Sequence, residues 1–547
     1  MVAVIPAAAG NINFAGKAFL IVDDFNGMRT MLRDILRNCG ADQKLIDGAA
    51  NGIEAVSLLA KNKYDVVLCD YNLGAGKNGQ QVLEEAQVKQ LIGPACAWIM
   101  ITAEKTTDVV MSAAEYQPDA YMLKPITEAD LRARIARIWT KKAAFLDISR
   151  AMARHDYAKA IALCESRQST DKANASDLLR LKCQLLLDSG DLERTRAAYD
   201  AVLAERDHPW ARCGLAKVLH QQGKHEEAKQ ILEQLIVEHR TYLEAYDLLA
   251  RVLDTLNQGD TAADVLAQAA RLSPNSVLRQ KNLGEVSLRL GKLDDAEKAF
   301  RKSVSLSTHS VLKTADAYLG LAKTCSAKSS PEEALRVLNT VAKEFDAPEI
   351  HMHAKAVEGL VYQQSGDPEK AREVARQLNE QMGSGDARPN SKTALDLAQL
   401  LLATGDKERA VSLLSHEVKN NPDDVHVLGQ VQAIFQAADM ADEGAAVVET
   451  SRKEAIEMMN RGVLLTRENK LDEALDWMRN ARNAMPSNVR VLFNLAFIII
   501  RCMQQRTAPE LAEEARQCLQ EANRLAPGER RFTELMGLLH QTEEAAG

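Results

Sequence analysis

The sequence predicts two fold classes in one chain: an α/β domain with a doubly wound, five-stranded parallel sheet, followed by an all-α helical-repeat solenoid. Near the N-terminus, short apolar runs alternate with amphipathic helical stretches, the pattern of a parallel sheet covered on both faces. Further along, helix–turn–helix units recur. Only 4% of the 547 residues are aromatic, which favours packed helices over a β-sandwich.

The α/β domain is predicted to span residues 17–140, after a flexible lead-in over residues 1–16. Runs of apolar residues indicate strands, and apolar residues three or four positions apart indicate helices. The predicted strands are Ala18–Val22, Leu45–Ala50, Val66–Cys69, Trp98–Ile101 and Ala120–Leu123, and the predicted helices include Gly27–Cys39 and Gly52–Ala60.

The solenoid is indicated by a regular spacing of small residues. In each unit a small residue in a first helix is followed, about 12 residues later and after a Gly or polar turn, by Ala in a second helix. Three successive pairs recur with a constant shift: Ala216/Ala228, Ala250/Ala262 and Gly284/Ala296. Glycines are predicted in the turns at positions 190, 223, 291, 366 and 405. Small residues let paired helices approach closely, and neighbouring units bury each other's apolar faces.

This repeat resembles the tetratricopeptide repeat, a helix–turn–helix unit with a period of about 34 residues. The resemblance covers residues 143–527 in about ten units and is weaker over residues 143–207 and 423–453. We expect residues 528–547 to form a C-terminal capping helix and tail.

Net charge and cysteine content limit the kinds of partner, site and cellular location that the sequence allows. The net charge is −8, and the absence of a dense basic block argues against a nucleic-acid partner. The nine cysteines form no C-x-x-C pair, which argues against a disulfide framework or zinc site and favours the cytoplasm. The most apolar stretch, Val489–Ile500, is too short to span a bilayer, so we expect no membrane association.

Polar side chains stand where the predicted strands end: Asp23, Asp24, Asp70, Thr102 and Lys124. The carboxyl ends of parallel strands share one edge of the sheet, so these groups should converge. Three converging carboxylates repel each other unless a cation is bound, and Mg²⁺ prefers oxygen ligands. A carboxylate can attack phosphorus, while Lys124 and Thr102 are suited to hold phosphoryl oxygens. The pattern predicts a metal-assisted aspartyl-phosphate pocket.

Four runs in this region, FLIVDDFNGMR, DVVLCDYN, IMITAE and YMLKPI, together resemble the receiver domain of two-component response regulators, a CheY-like, flavodoxin-like fold. The resemblance implies that Asp70 is the phosphoacceptor and that Lys124 pairs with the phosphoryl group. It further implies Mg²⁺ ligation by Asp23, Asp24, Asp70 and the backbone carbonyl of Asn72, a switch hydroxyl on Thr102, a rotating aromatic ring at Tyr121 and a cis peptide at Pro125.

Two further positions match the chemotaxis type of receiver, whose phosphoryl group is short-lived. These are Asn72 and Glu104, each two residues after a pocket residue, and they predict fast autodephosphorylation. The loop LGAGKNG departs from the family by placing Gly74 where Pro is common. Its glycines permit unusual backbone angles, which leaves open the rigidity of the loop and the identity of the kinase that docks beside it.

In tetratricopeptide repeats the sixth residue of a unit faces the concave groove. This resemblance places Asn282, Asn460 and Asn494 in the groove. Arg490 lies one helical turn before Asn494, on the same face. An Arg beside an Asn could hold a peptide backbone or a carboxylate. The alternative is that all four are ordinary solvated polar residues.

The two domains together predict a cytoplasmic response regulator. A histidine kinase would phosphorylate Asp70, and the repeat array would bind a protein or peptide partner. Phosphorylation would draw Thr102 inward, rotate Tyr121 and remodel the helix after Thr102, the fifth strand and the final helix, near residues 127–140. We expect no enzymatic activity beyond the receiver's own self-phosphorylation and autodephosphorylation.

Three alternatives stay open. The protein could be a modulator or phosphate sink that binds the kinase and restrains transfer to another regulator. It could be a constitutive scaffold that uses the receiver only to form a homodimer. It could also be an enzyme or DNA-binding regulator with an unrecognised site in the repeats.

Overall fold

The computed structural model describes residues 14–103, 118–154, 156–383, 389–505, 510–526 and 529–546. The first domain contains one five-stranded parallel sheet in the order β2-β1-β3-β4-β5, which confirms the predicted fold. The strands are β1 (Phe19–Val22), β2 (Ile46–Ala49), β3 (Val66–Asp70), β4 (Ala97–Thr102) and β5 (Ala120–Leu123). β3 and β4 include the polar residues Asp70 and Thr102, because strand pairing continues through them.

Helices cover both faces of the sheet. Those in the described residues are α1 (Asn26–Asn38), α2 (Gly52–Lys61), α3 (Gly79–Val88) and α4 (Glu128–Ala153). Leu36 of α1 and Ile135 of α4 pack with Ile21 on one face, whereas Leu59 of α2 and Leu83 of α3 share a core with the opposite face. Burial on both faces explains why the strands are uninterrupted apolar runs.

α4 is one continuous helix that leaves the sheet and enters the repeat array. The predicted domain boundary between residues 140 and 143 lies inside it, because residues 128–153 include neither Pro nor Gly to end the helix. Thr127 caps its N-terminus by accepting a hydrogen bond from the Asp130 amide, 3.1 Å away. Lys142, beyond the predicted end of the domain, pairs with Asp119 at 3.0 Å and so still belongs to the α/β packing.

The remaining described helices pack as antiparallel pairs. They are α5 (Tyr157–Gln168), α6 (Ala175–Asp188), α7 (Leu192–Glu205), α8 (Pro209–Gln221), α9 (His225–Glu238), α10 (Leu243–Thr255), α11 (Gly259–Leu272), α12 (Val277–Arg289), α13 (Leu293–Ser307), α14 (Ala315–Ala327), α15 (Pro331–Glu344), α16 (Pro348–Gln364), α17 (Pro368–Gly383), α18 (Ser391–Thr404), α19 (Lys407–Asn420), α20 (Val425–Ala437), α21 (Ala441–Arg467), α22 (Leu471–Ala484), α23 (Val489–Gln505), α24 (Glu510–Leu525) and α25 (Arg530–Ala546).

Nine of the described turns between helices of the array share one backbone feature, a residue in the left-handed region. All five predicted turn glycines have positive φ, between 71° and 94°. Four other turns place a non-glycine residue there with φ between 56° and 60°: Asn257, Ser329, Asp439 and Asn469. Asn and Asp tolerate this conformation best after Gly, so the turn recurs where the glycine signal is missing.

α21 accounts for the weak repeat pattern over residues 423–453. This 27-residue helix serves as the second helix of one unit and continues as the first helix of the next. Gly444 near its start lies against Phe435 of α20, while Gly462 near its end lies against Met478 of α22. Within the described ranges, no helix combines the length and apolar character needed to cross a bilayer.

Candidate phosphoacceptor site and interaction groove

The sheet brings three carboxylates together at its carboxyl edge. Asp23 and Asp24 follow β1, and Asp70 ends the adjacent strand β3. One carboxylate oxygen from each of the three lies within 4.8 Å of the others. Asp23 is 1% exposed and Asp70 is 7% exposed, whereas Asp24 is open to solvent. The cluster is therefore buried on one side and accessible on the other.

Lys124 partly neutralises this cluster. It follows β5, and its Nζ donates hydrogen bonds to Asp70 Oδ2 at 2.7 Å and to Asp23 Oδ2 at 2.9 Å. Burial raises the pKa of Asp70 and Asp23 adds to the rise, while Lys124 opposes both. Partial burial would lower the pKa of Lys124, but Asp70 and Asp23 raise it, so its ammonium stays charged.

The remaining charge suits a hard divalent cation. Three carboxylates face one ammonium, the donor atoms are oxygens, and Asp24 stands on the solvent side where an ion would enter. The backbone amide of Asn72 hydrogen-bonds the Asp70 carboxylate, which holds this exposed residue beside the cluster. These residues fit the Mg²⁺ site that the sequence predicts.

The predicted switch residues lie on β4, the strand next to that of Asp70, and on β5, the strand beyond it. Thr102 ends β4, is 5% exposed, and accepts a hydrogen bond through its carbonyl from the Lys124 amide at 2.9 Å. The Tyr121 ring packs partly buried on the α2–α3 face of the sheet, and this burial raises the pKa of Tyr121. The Lys124–Pro125 peptide bond is cis. Glu104, predicted to tune dephosphorylation, lies outside the described residues.

The loop from β3 to α3 has a backbone that depends on glycine. Gly74 has φ of 71° and Gly76 has φ of 103°. The ring of proline restricts φ to negative values, so the proline common in related receivers could not adopt the backbone found at Gly74. The amide of Gly74 donates to Asn72 Oδ1 at 3.2 Å, which ties the loop to the pocket.

Charged side chains occupy the inner surface at the middle of the array. Lys392 of α18 pairs with Asp316 of α14 at 2.9 Å and with Glu285 of α12, three units away, at 3.1 Å. Asp396 of α18 is likewise buried between Lys323 and His353. Side chains from units so far apart meet only across the concave side, so the array's own ion pairs fill it there.

The four residues predicted to line the groove have different surroundings. Asn282 of α12 is partly buried, and Asn460 of α21 is exposed. Arg490 of α23 is paired with Asp423 at 2.6 Å. Asn494 accepts a hydrogen bond from Arg531 of α25 at 2.9 Å and lines a pocket.

That pocket, the C-terminal groove, lies between α21 and α23 and has a volume of about 370 Å³. It is lined by Val463, Thr466, Arg467, Asn469, Asn494, Phe497, Ile498 and Arg501. Arg467 and Arg501 are exposed, and among the described residues neither is in an ion pair. We did not predict these arginines, although a signal exists: each stands five residues after the small residue of its unit, Gly462 or Ala496.

Comparison with known proteins matches both parts of the chain. The model of the response regulator receiver domain matches residues 19–136, and tetratricopeptide-repeat models match residues 186–252, 248–311, 352–377 and 392–415. The chemotaxis protein CheY-3 of Vibrio cholerae is 30% identical over 122 residues, which are 22% of this chain and 91% of that protein. The chemotaxis protein CheY of Pseudomonas aeruginosa is 29% identical over 122 residues, 22% of this chain and 95% of that protein.

Solved structures resemble each part separately. A tetratricopeptide repeat protein from Parabacteroides merdae is 17% identical with a TM-score of 0.39, covering 47% of this chain and 98% of its own. A CheY-like receiver domain from Methanospirillum hungatei is 24% identical with a TM-score of 0.22, covering 24% of this chain and 98% of its own.

A doubly wound sheet with an acidic pocket at its carboxyl edge, joined to a helical array, defines a signalling protein with a receiver and a protein-interaction output. The chain belongs to the response regulator receiver family, and its receiver domain is followed by tetratricopeptide repeats.

Proposed function

We propose that this protein is a phosphorylation-controlled adaptor of a two-component phosphorelay. Asp70 accepts a phosphoryl group from a histidine kinase, and the repeat array binds a protein partner. One observation carries the proposal: Asp70 lies with Asp23, Asp24 and the Lys124 ammonium in a half-open pocket, in a chain whose other domain is a tetratricopeptide-repeat array.

The proposed transfer uses the groups of the pocket in distinct roles. A carboxylate oxygen of Asp70 attacks phosphorus, the P–N bond to the kinase histidine breaks as the P–O bond forms, and the released imidazole nitrogen takes up a proton. Lys124 and the Thr102 hydroxyl bind the phosphoryl oxygens. Asp23, Asp24, Asp70 and the Asn72 carbonyl would hold Mg²⁺, which supplies positive charge to the transferring group.

Loss of the phosphoryl group is proposed to be fast, since Asn72 and Glu104 match the chemotaxis type of receiver. Beyond this self-phosphorylation and autodephosphorylation we propose no enzymatic activity. Asp23, Asp24 and Asp70 form the one three-residue metal-ligand cluster among the described residues.

We propose that the partner binds in the C-terminal groove and presents carboxylates beside an apolar side chain. Arg467 and Arg501 supply positive charge, and Phe497 and Val463 supply apolar surface. Leu464, next to the groove on α21, is 45% exposed. The middle of the array is a poorer site because its charges already pair with one another.

The cytoplasm is the proposed location. All nine cysteines lie in the described part of the chain, and all are buried thiols. Disulfides are rare in that compartment. Neither nucleic acid nor a membrane is proposed as a partner.

Two experiments test this function. Acetyl phosphate with Mg²⁺ should add one phosphoryl group to the wild type and none to Asp70→Asn, measured by intact-protein mass spectrometry. Pull-downs from lysate should then recover different proteins with beryllofluoride-loaded wild type and with Asp70→Asn. The same proteins in both would favour the constitutive scaffold, and a histidine kinase as the main protein recovered would favour the modulator.

The groove has its own test. A random peptide library selected on the full chain should be enriched in Asp and Glu, and the selected peptides should lose binding to the double variant Arg467→Glu/Arg501→Glu. Arg461→Glu, an exposed change on α21 outside the groove lining, is the control. Selection without acidic enrichment, or equal binding to the double variant, would exclude this groove.

A further inference from the structure

The receiver contacts the array a second time, far from the junction at α4. Three hydrogen bonds join α3 and the loop before it to the end of α13 and the turn that follows. Lys77 Nζ donates to the His309 carbonyl at 2.8 Å, and Gln81 Nε2 donates to the Leu306 carbonyl at 3.1 Å. The Ser310 hydroxyl donates to the Glu84 carboxylate. We call this contact the α3 clasp.

Burial shows that the clasp is a packed interface. The inward face of α3 belongs to the receiver core, as a surface helix requires. The polar residues of α3, namely Gln80, Glu84 and Glu85, are also less than a tenth exposed. Ser310 of the array is buried to the same degree. A polar helix face normally stays in water, whereas here Glu84 is buried against Ser310 of the array.

The clasp connects directly to the phosphoacceptor through the start of α3. The backbone of Gly79, the first residue of the helix, is so close to the Asp70 carbonyl oxygen that a Cβ there would lie 2.0 Å from it. The Gly79 amide also donates to the Tyr71 carbonyl at 2.9 Å. The first turn of α3 therefore cannot move independently of the end of β3.

One side chain performs two functions at this point. Gln81 forms a reciprocal capping box with Asn78: its amide donates to Asn78 Oδ1 at 2.9 Å, and its Oε1 accepts from the Asn78 amide at 3.1 Å. The Nε2 of the same side chain donates a hydrogen bond to the Leu306 carbonyl of the array. A shift of the loop between Asp70 and Asn78 would change the cap and the clasp together.

The chemistry of the clasp makes it releasable. Burying the Glu84 carboxylate against a hydroxyl is costly, because a neutral donor compensates poorly for lost hydration. Lys77 is shared between the Glu85 carboxylate, at 2.7 Å, and the His309 carbonyl. A phosphoryl oxyanion is a stronger acceptor for an ammonium than a carbonyl oxygen is.

We propose that the α3 clasp is an intramolecular docking surface, and that phosphorylation of Asp70 releases it. The units between α4 and the turn after α13 are held to the receiver at both ends. Release would free the second end and expose the array surface near residues 306–310. This inference rests on the proposed function, because it needs Asp70 to be phosphorylated.

Hydrogen exchange on the full chain tests the clasp. With Mg²⁺ and beryllofluoride, amides of α3 and of residues 306–312 should exchange about tenfold faster in the wild type and remain unchanged in Asp70→Asn. Lys77→Ala and Gln81→Ala should open the same amides without beryllofluoride. Lys89→Ala is the control, since Lys89 pairs with Glu85 on α3 at 2.6 Å and makes none of the three bonds to the array.

The outcomes separate the clasp from the proposed function. Fluorine NMR of bound beryllofluoride reports whether the pocket is loaded. A loaded pocket with unchanged or slower exchange at residues 306–312 would overturn the release and leave the phosphoacceptor role intact. A pocket that never loads would overturn both, and unchanged exchange in Lys77→Ala and Gln81→Ala would overturn the clasp itself.

Discussion

Replacing Lys124 with methionine should destabilise the receiver and make its stability depend on Mg²⁺. The substitution keeps most of the side-chain volume but removes the ammonium that contacts Asp70 at 2.7 Å and Asp23 at 2.9 Å. The side chains of these two acids are 10% and 1% exposed, and that of Lys124 is 18% exposed. Two nearly buried carboxylates would then face each other without the ammonium that neutralises part of their charge.

The size of the effect follows from this burial. Removing one partner of a buried ion pair costs about 3–5 kcal/mol. The Asp24 side of the pocket is open to solvent, and hydration from that side reduces this cost. We therefore expect a loss of about 2–3 kcal/mol without metal. Mg²⁺ should stabilise Lys124→Met more than the wild type, since it would replace the missing charge.

Local hydrogen exchange of β1 and β3 at neutral pH, with and without Mg²⁺, measures both effects within a multidomain chain. The matched control is Lys141→Met. Lys141 pairs with Asp177 at the same 2.7 Å, but both side chains are at least half exposed, so its loss should cost less than about 1 kcal/mol. Equal opening of β1 and β3 in wild type and Lys124→Met, or an equal response to Mg²⁺, would refute the reasoning.

Three further substitutions test other parts of the chain, each by local hydrogen exchange. Burial raises the pKa of Glu417. The contribution of Glu417 to the free energy of unfolding is therefore most favourable below the unfolded pKa of about 4.3 and is lost as pH rises through the higher folded pKa. Glu417→Gln should therefore stabilise α19 at pH 7, and a destabilised variant would contradict this. Burial alone would raise the pKa of Asp396, but its ion pair with Lys323 helps to lower this pKa. The stabilisation that Asp396 contributes to folding is therefore present above about pH 3.9 and is lost as pH falls through the folded pKa. Asp396→Asn should destabilise α18 by about 2–4 kcal/mol at pH 7, and equal exchange at pH 7 would contradict this. Gly79→Ala would place a Cβ 2.0 Å from the carbonyl oxygen of Asp70 and should open β3 and α3. Gly93→Ala, which has nothing within 4 Å, should be silent. Equal effects of the two substitutions would contradict the close packing at Gly79.

The receiver fold and its pocket could be predicted because their signals are local. Each polar pocket residue directly follows an apolar strand run, and parallel pairing brings the strand ends together. Two predicted strands end one residue too early, because Asp70 and Thr102 are polar residues that still pair within the sheet.

The contacts between units could not be predicted in the same way. The repeat period specifies a helix pair but not the curvature of the stack, which decides whether Lys392 meets Glu285 or whether Gln81 meets Leu306. The continuity of α4 is not predicted, because the predicted receiver ends at residue 140 and the predicted array begins at residue 143, although nothing there breaks a helix.

The continuity of α4 has a consequence for how this chain can vary. Its 26 residues make a rod about 39 Å long, and each residue adds about 1.5 Å and a rotation of about 100°. Inserting or deleting one residue in its middle would turn the array by about 100° around the helix axis relative to the receiver. The turn after α13 would then no longer reach α3. The contact between receiver and array therefore requires the present number of residues in α4.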